Sequence, residues 1–278
     1  MSYFESIIFG LIQGLTEFLP VSSSGHLQIL KNILNLKEIQ ISYDITLHLG
    51  TILAVFIIFR KQIWGVIKEV FVILFNLNKI KTLYKENYYT RLIVFVIIGT
   101  IPAVIIGLLF KDVLENVFSN LLLVSFTLLF TTLLLFLTKF FKETNKGILK
   151  QNWLFPVVVG ILQAVAILPG VSRSGSTIFA ALRLKSDKKE AFEFSFLLSI
   201  PAILGAAVLE MFSLYKSDSL HFNSYEIGIY LIGFLIAFIF GFLTLSFLKK
   251  LVIQGRFYLF GFYTFLASIL AFILYFKL

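Results

Sequence analysis

The sequence predicts an all-α polytopic membrane protein built as an inverted-topology repeat. Three observations lead to this fold class. The 278 residues are 59% hydrophobic and only 14% charged, whereas a soluble domain carries about 25% charged residues. Several apolar runs approach the roughly 20 residues that a helix needs to cross a bilayer. Two polar, serine-rich stretches interrupt the apolar sequence and match each other at an offset of 150 residues.

Six apolar segments are expected to cross the membrane as helices, because the ten-residue alternating pattern of a membrane β-barrel is missing. They are residues 43–59, 91–110, 120–138, 190–212, 226–247 and 256–276. A shorter segment, residues 62–77, is flanked by charges and contains Trp64, so we expect it to lie at the membrane interface. The chain contains no cysteine, which excludes disulfide bonds and thiolate chemistry.

Two further apolar regions, residues 3–30 and 153–182, are interrupted near the middle by Pro, Gly and Ser. This pattern predicts two re-entrant hairpins, each a broken pair of short helices that enters and leaves the membrane on one side. The basic residues support this interpretation, because four Lys- and Arg-rich loops fall on one side only if residues 153–182 do not cross. Those loops are residues 60–91, 139–150, 183–190 and 249–256. The same argument places residues 31–42 and both termini outside.

The net charge of +9 follows from the same loops, because short cytoplasmic connections collect Lys and Arg. In a soluble protein this charge would suggest a nucleic-acid partner. Here the bilayer is the expected partner, and no nucleic acid is expected.

An internal repeat supports the plan of one membrane domain, residues 1–278, made of two halves. "GLIQ" at residues 10–13 and "VSSSG" at 21–25 match "GILQ" and "VSRSG" at an offset of 150, and "DITLHLGTILAV" lies against "EFSFLLSIPAIL" at an offset of 149. The first repeat is expected to cover residues 1–140 and the second residues 150–278. Because the loop charges make the two broken segments enter from opposite sides, the repeat is predicted to be inverted.

The first broken segment carries polar side chains that are costly at membrane depth and therefore indicate function. Gln13 and Glu17 are four residues apart and share one helix face. Pro20 is expected to end that helix, and His26 to stand at the start of the next. The intervening hydroxyls and backbone amides can bind an anion such as phosphate at a helix N-terminus. The hydroxyls belong to Ser22, Ser23 and Ser24.

The second broken segment repeats this design after Pro169 and Gly170 and adds Arg173. The guanidinium is a fixed fork suited to phosphate oxygens, although Arg173 could also serve only to neutralise Glu17. The hydroxyls here belong to Ser172, Ser174, Ser176 and Thr177. Serines near a break can be simple helix caps and a single histidine can be a packing residue. The concentration of all these features in two matched breaks favours a phosphate site near the midplane of the membrane.

Both stretches resemble the motifs of the undecaprenyl-diphosphatase family, which is also known for bacitracin resistance. That family carries an (E/Q)xxxE motif followed by a Ser-Ser-x-Gly-His segment, matched here by Gln13 to Glu17 and then "PVSSSGH". Its PGxSRSxxT motif is matched in full from Pro169 to Thr177, and "FEFSFLLSIP" is a further likeness. The similarity covers essentially the whole chain. The family pattern permits Glu or Gln at the first motif position, and here it is Gln13, which weakens any mechanism that needs two carboxylates at this motif.

The resemblance implies a phosphatase of the bacterial plasma membrane whose site opens to the outer face. It would hydrolyse a C55 isoprenoid diphosphate to the monophosphate carrier and phosphate, aided by a divalent cation. We expect Mg²⁺ or Ca²⁺ to be held weakly through Glu17. The expected catalytic residues are Glu17, His26, Ser23 and Arg173, and the expected substrate-binding residues are Gln13, Ser22, Ser24, Ser172, Ser174 and Thr177. The nucleophile stays open between water, Ser23 and His26, and a homodimer stays open beside a monomer.

Two other functions fit parts of the sequence. An anion transporter or phospho-isoprenoid flippase would also have inverted repeats with broken helices, but a carrier does not need Glu17 and His26 as an acid–base pair beside its anion. A lipid phosphatase of the vanadium-haloperoxidase type would need a downstream histidine. After Ser172 the chain has only His221, in a predicted loop.

Overall fold

The computed structural model describes residues 1–34, 36, 41–110, 120–142, 144, 146–216 and 223–277, and nearly all of them are helical. The described helices of the first half are α1 (Tyr3–Thr16), α2 (Ser23–Ile33), α3 (Ile41–Ile58), α4 (Arg60–Phe75), α5 (Ile80–Glu86), α6 (Tyr88–Leu109) and α7 (Leu121–Leu137). Those of the second half are α8 (Leu154–Val165), α9 (Arg173–Arg183), α10 (Lys188–Lys216), α11 (Ser224–Ile253) and α12 (Phe260–Lys277). His221 and residues 37–40 of the predicted outer loop lie outside the described residues.

In the part of the chain that the structure describes, five helices are long and apolar enough to cross a membrane: α6, α7, α10, α11 and α12. A short turn at Phe257–Leu259 joins the last two. A sixth span is counted if α3 and α4 act together, since they are bent by 81° where α3 ends and α4 begins. This confirms the prediction of an all-helical polytopic membrane protein with about six spans. The bend also separates the predicted span at residues 43–59 from the predicted interfacial segment at residues 62–77.

Both predicted interruptions are present as breaks between short helices. The first break lies between α1 and α2 at residues 17–22, and the second lies between α8 and α9 at residues 166–172. The expectation that Pro20 ends the first helix is wrong in detail, because α1 ends at Thr16 and residues 17–21 form turns. Proline disfavours the helical conformation of the residue before it, so the chain leaves the helix ahead of Pro20. His26 likewise lies one turn inside α2, which begins at Ser23.

The broken segment of each half packs against a long helix of the other half. Helix α1 packs along α11, and α8 packs along α6. The approach is close in both cases: a Cβ at Gly10 would lie 2.7 Å from the Gly233 carbonyl oxygen, and one at Gly160 would lie 2.4 Å from that of Gly99. Gly10 and Gly160 are equivalent at the repeat offset of 150. This exchanged packing agrees with a two-fold repeat, whose boundaries at residues 140 and 150 stay a prediction.

The largest buried cluster among the described residues contains eight phenylalanines, and one of them, Phe18, belongs to the first break. Phe18 is fully buried and packs edge-on against Phe196 of α10, with ring centroids 5.5 Å apart. Phe59, at the bend between α3 and α4, stacks on the same Phe196 ring. Buried aromatic pairs of this kind hold the ends of α1, α3 and α10 together, and so they fix the end of α1 where Glu17 lies.

Candidate active site

The carboxylate of Glu17 is the centre of a buried polar cluster. Its Oε2 accepts hydrogen bonds from Gln13 Nε2 at 3.0 Å and from Ser23 Oγ at 2.6 Å. Its Oε1 accepts a hydrogen bond from a terminal guanidinium nitrogen of Arg173 at 2.8 Å. His48 Nε2 lies 3.5 Å from Oε2. A buried carboxylate is stable only when it is paired and hydrogen-bonded, and Glu17, with 8% of its surface exposed, meets that condition.

Helix geometry and the two breaks explain how these groups converge. Gln13 and Glu17 lie one turn apart at the end of α1, so they share a face as predicted. The turns after Glu17 reverse the chain and bring Ser23, the first residue of α2, back to the carboxylate. Arg173 is the first residue of α9, and it reaches Glu17 because the second break meets the first.

The two breaks are capped in the same way. Ser22 Oγ accepts a hydrogen bond from the Gly25 amide at 3.3 Å, and Ser172 Oγ accepts one from the Gly175 amide at 3.1 Å. Ser24 and Ser174 lie within hydrogen-bond distance of these caps, at 3.2 and 3.3 Å. Of the predicted binding hydroxyls, Ser22 and Ser172 are therefore the N-caps of α2 and α9, and Ser24 and Ser174 contact those caps.

The two capped N-termini also touch each other. The Gly170 amide donates to Ser22 Oγ at 3.1 Å, and a Cβ at Gly25 would lie 3.2 Å from the Gly170 Cα. The positive ends of two helices thus approach the same place. Such ends favour a negatively charged group, and Glu17 supplies one here.

Helix α7 braces the second break, which sequence reasoning missed. Thr127 Oγ1 donates to the Pro169 carbonyl at 2.5 Å. Thr131 Oγ1 donates to the Gly170 carbonyl and accepts the Ser172 amide, both at 3.0 Å. Gly170 has a φ of +90°, and a Cβ there would lie 2.0 Å from Thr127 Oγ1. The sequence did offer a signal for this contact, because Thr127 and Thr131 are polar residues one turn apart within an apolar span.

His26 has different neighbours from those expected. Its Nδ1 lies 2.8 Å from the Ser22 carbonyl oxygen, and its Nε2 lies 2.8 Å from Tyr263 Oη on α12. Among the described residues the His26 imidazole makes these two hydrogen bonds and none to Glu17. The structure therefore does not bring Glu17 and His26 into direct contact, although both lie at the first break.

The imidazole next to Glu17 belongs instead to His48 on α3, a residue that sequence reasoning missed. Its ring is oriented by a 2.8 Å hydrogen bond from Nδ1 to the Asp44 carbonyl oxygen. A signal was present, because Asp44 and His48 are ionisable residues one turn apart in a predicted span, where such residues usually have a function. The repeat offered no second sign of it, because the matching position 149 residues later is Leu197.

Thr177 is turned away from the Glu17 cluster. Its Oγ1 donates to the Arg173 carbonyl at 2.8 Å and lies 2.5 Å from Ser195 Oγ on α10. This position joins α9 to α10, and the predicted contact of Thr177 with substrate stays a prediction.

Two polar atoms of the cluster are buried and have no hydrogen-bond partner among the described residues: Arg173 Nη1 and Gln13 Oε1. Leaving such atoms unsatisfied is costly. An unpaired guanidinium N–H next to two helix N-termini is suited to a phosphate oxygen. The cluster can therefore accept an anion without first breaking every bond to Glu17.

The cluster fits a metal ion only in part. Within the described ranges, no group of three or more His, Asp or Glu side chains could hold one. Both oxygens of Glu17 already accept hydrogen bonds. An ion at Glu17 would thus take most of its ligands from substrate phosphates and water, which is the usual arrangement for Mg²⁺.

Comparison with known proteins identifies the family. The profile of the family described as "Bacitracin resistance protein BacA" matches residues 6–270. The chain belongs to this family. An undecaprenyl-diphosphatase of Methanococcus vannielii is 41% identical over 265 residues, which cover 95% of this chain and 97% of that protein. One of Thermosipho africanus is 40% identical over 266 residues, 96% of this chain and 98% of that protein. One of Carboxydothermus hydrogenoformans is 37% identical over 269 residues, 97% and 96% of the two chains.

The BacA match includes both breaks and every residue of the Glu17 cluster. The resemblance read from the two motifs is thus confirmed at the level of the family. These relatives align with the chain over nearly their whole length.

Proposed function

We propose that this protein is a membrane phosphatase that hydrolyses undecaprenyl diphosphate to undecaprenyl phosphate and phosphate. This reaction recycles the lipid carrier used for cell-wall polymers and gives resistance to bacitracin. The family and the activity for which its relatives are named support the reaction. The observation that carries it in this chain is the convergence of Ser23 and Arg173 on Glu17, between two helix N-termini.

The diphosphate binds where Arg173 and the N-termini of α2 and α9 meet. Arg173 Nη1 has no hydrogen-bond partner in the part of the chain that the structure describes. A phosphate oxygen can therefore bind Nη1 first and then compete with Glu17 for the other terminal nitrogen. A bidentate guanidinium–phosphate pair gives both affinity and orientation. The amides at the two helix starts and the capping hydroxyls of Ser22 and Ser172 supply further donors to the charge that develops during reaction.

The geometry favours Ser23 as the nucleophile. Its hydroxyl already donates to Glu17 Oε2 at 2.6 Å, which is the arrangement of a nucleophile and its general base. Ser23 Oγ attacks the terminal phosphorus, its proton passes to Glu17, and the anhydride P–O bond breaks to release the lipid monophosphate. Water then attacks the phosphoserine and gives a proton to His26, while Ser23 recovers its own proton from Glu17. His26 then gives the water proton to solvent, so that the sum is one water consumed, one phosphate and one proton released, and the enzyme regenerated.

We also propose weak use of Mg²⁺ or Ca²⁺. Glu17 would be the protein ligand of such an ion, because hard cations prefer carboxylate and phosphate oxygens. When bound, the ion would neutralise charge on the diphosphate.

The substrate dictates where the site has to open. A C55 lipid diphosphate stays in the bilayer by its tail, so it reaches a site at membrane depth from the side. We propose a plasma-membrane location with the site opening to the outer face. The first broken segment enters from that face if the loops follow the positive-inside rule. A homodimer is compatible with this arrangement and is not required by it.

Phosphate release in detergent tests the function directly. The purified protein is mixed with undecaprenyl diphosphate, and phosphate is followed over time in the wild type and in Glu17→Gln. We expect release from the wild type alone. Hydrolysis continues in detergent, whereas transport between leaflets needs a closed membrane. A wild type that releases no phosphate in detergent but moves the lipid between the leaflets of a vesicle would therefore be a carrier.

A further inference from the structure

Tyr263 contacts the imidazole of His26 across the two halves of the chain. Its hydroxyl oxygen lies 2.8 Å from His26 Nε2, and the two residues are 237 positions apart. The rings are nearly parallel, with centroids 5.5 Å apart and an angle of 9° between their planes. The BacA motifs quoted above do not include Tyr263, and it lies in a predicted span rather than in a break.

The direction of the hydrogen bonds at His26 follows from the chemistry of its partners. Nδ1 lies 2.8 Å from the Ser22 carbonyl oxygen, which can only accept, so Nδ1 carries the proton. In the neutral ring Nε2 then holds the lone pair, and the Tyr263 hydroxyl donates to it. Nε2 is also the nitrogen that has to accept the proton of water. When no substrate is bound, the Tyr263 hydroxyl is therefore hydrogen-bonded to the lone pair of His26 Nε2, the lone pair that would accept the proton.

Neighbouring contacts fix the height of Tyr263 in the membrane domain. Thr264 shares a 2.8 Å hydrogen bond with Thr132 of α7. At Gly261 a Cβ would lie 2.8 Å from the Phe136 ring, so α12 and α7 touch there. Helix α7 also braces the second break. Through its contact with α12 it positions Tyr263, which reaches His26 at the first break. The contact with His26 is thus part of the scaffold that holds both breaks.

We propose that Tyr263 is a positioning residue for His26. Its hydroxyl holds the imidazole with Nε2 facing away from the Ser22 carbonyl. When a diphosphate binds, a phosphate oxygen takes over the tyrosine hydroxyl, because hydrogen bonds to charged acceptors are about twice as strong as those to neutral ones. Nε2 is then released, already oriented, to accept a proton from water. This inference rests on the proposed phosphatase activity and on His26 as the proton acceptor.

Tyr263→Phe tests the role, because it removes the hydroxyl and keeps the stacked ring. We expect kcat to fall about 10-fold, since one hydrogen bond to a catalytic group is lost. KM should stay within about 3-fold of the wild type, because Arg173 and the two helix N-termini still bind the diphosphate when the Tyr263 hydroxyl is missing. Tyr275→Phe is the matched control on the same helix. Tyr275 packs against Phe276, and its variant should keep wild-type kcat. Thermal melting in detergent checks that both variants are folded.

Two further measurements separate positioning from a general structural effect. In a His26→Gln background, Tyr263→Phe should lower the residual activity no further, since both changes remove the same interaction. A full additional loss in that background would overturn the proposal. So would a Tyr263→Phe enzyme with wild-type kcat.

The rate of chemical modification of His26 provides a readout that does not depend on activity. Diethyl pyrocarbonate acylates an imidazole nitrogen that has a free lone pair, and mass spectrometry can distinguish the three histidines of the chain. Without lipid, His26 should react about 5-fold faster in Tyr263→Phe than in the wild type or in Tyr275→Phe, because Nε2 is uncovered. If the wild type releases no phosphate, the proposed function fails. The rate of His26 modification still decides whether the Tyr263 hydroxyl is bonded to Nε2. Equal rates at His26 would refute the contact.

Discussion

Ser23 and Arg173 occupy equivalent positions of the internal repeat, 150 residues apart, and both donate hydrogen bonds to Glu17. Ser23 binds one carboxylate oxygen at 2.6 Å, and Arg173 binds the other at 2.8 Å. The two halves have thus contributed different groups from the same place in the fold. One half supplies a hydroxyl and its base, and the other supplies the positive charge. In the proposed phosphatase, this asymmetry distinguishes the two helix ends, so that one phosphoryl group is bound between a nucleophile and a cation.

Arg173→Lys is expected to be nearly as damaging as Arg173→Ala. A lysine carries the charge but lacks the fork that can contact Glu17 and a phosphate oxygen together. We expect phosphate release by either variant to fall at least about 100-fold, as for loss of a group that stabilises the transition state. Arg183→Lys, at the other end of α9, is the matched control and should be fully active. A lysine variant at position 173 that keeps most of its activity would contradict the bidentate role.

Glu17→Gln keeps the shape of the side chain and removes its charge. We expect it to abolish turnover, because an amide cannot accept the Ser23 proton, while the protein still folds and still binds the lipid diphosphate. Turnover, thermal melting and lipid binding are measured in parallel, with the exposed Glu86→Gln as control. An active Glu17→Gln enzyme that still responds to Mg²⁺ or Ca²⁺ would mean that the carboxylate is structural.

His48→Leu should lower kcat by about 10-fold, because it removes one of the four groups around the Glu17 carboxylate. Leucine stands at the matching position of the second repeat, so the fold is expected to accept it. His48→Gln places an amide near the same spot and should recover part of the loss. Steady-state kinetics in detergent check both variants. Wild-type kcat in His48→Leu would show that His48 has no part in holding Glu17.

Gly170→Ala is expected to destabilise the protein by about 2–4 kcal/mol, because alanine at a positive φ is strained and its Cβ would overlap Thr127. The matched control is Gly205→Ala in α10, where a Cβ would meet nothing within 4 Å. Thermal unfolding in detergent compares the two variants. If Gly170→Ala melts at the wild-type temperature, the brace formed by α7 does not depend on this turn.

The inverted arrangement of the halves predicts opposite sides for two loops. An accessibility tag at residue 37, which lies outside the described residues, should react from outside, and one at Lys188 should react from inside. Labelling of intact cells against permeabilised cells measures this. Both tags reacting from the same side would contradict the inverted repeat.

Much of the molecule could be predicted from local patterns. Long apolar runs predicted the spans, because an unpaired backbone cannot remain in lipid and a helix of about 20 residues satisfies it internally. Proline, glycine and serine clusters predicted both breaks, and the spacing of Gln13 and Glu17 predicted their shared face. Arg173 was placed at the site from its position in the second motif. The bend after α3 also coincided with a change from apolar to charged sequence.

The sequence by itself therefore determined the helices and the two breaks, because these depend on hydropathy and on the conformational limits of single residues. The tertiary structure alone decided which residues meet. His48, rather than His26, lies beside Glu17, and Tyr263 reaches His26 from 237 residues away. Thr127 and Thr131 hold a turn that lies about 40 residues further along the chain. Such contacts depend on how helices from the two halves cross, and the periodicity of one segment does not specify a partner on another helix.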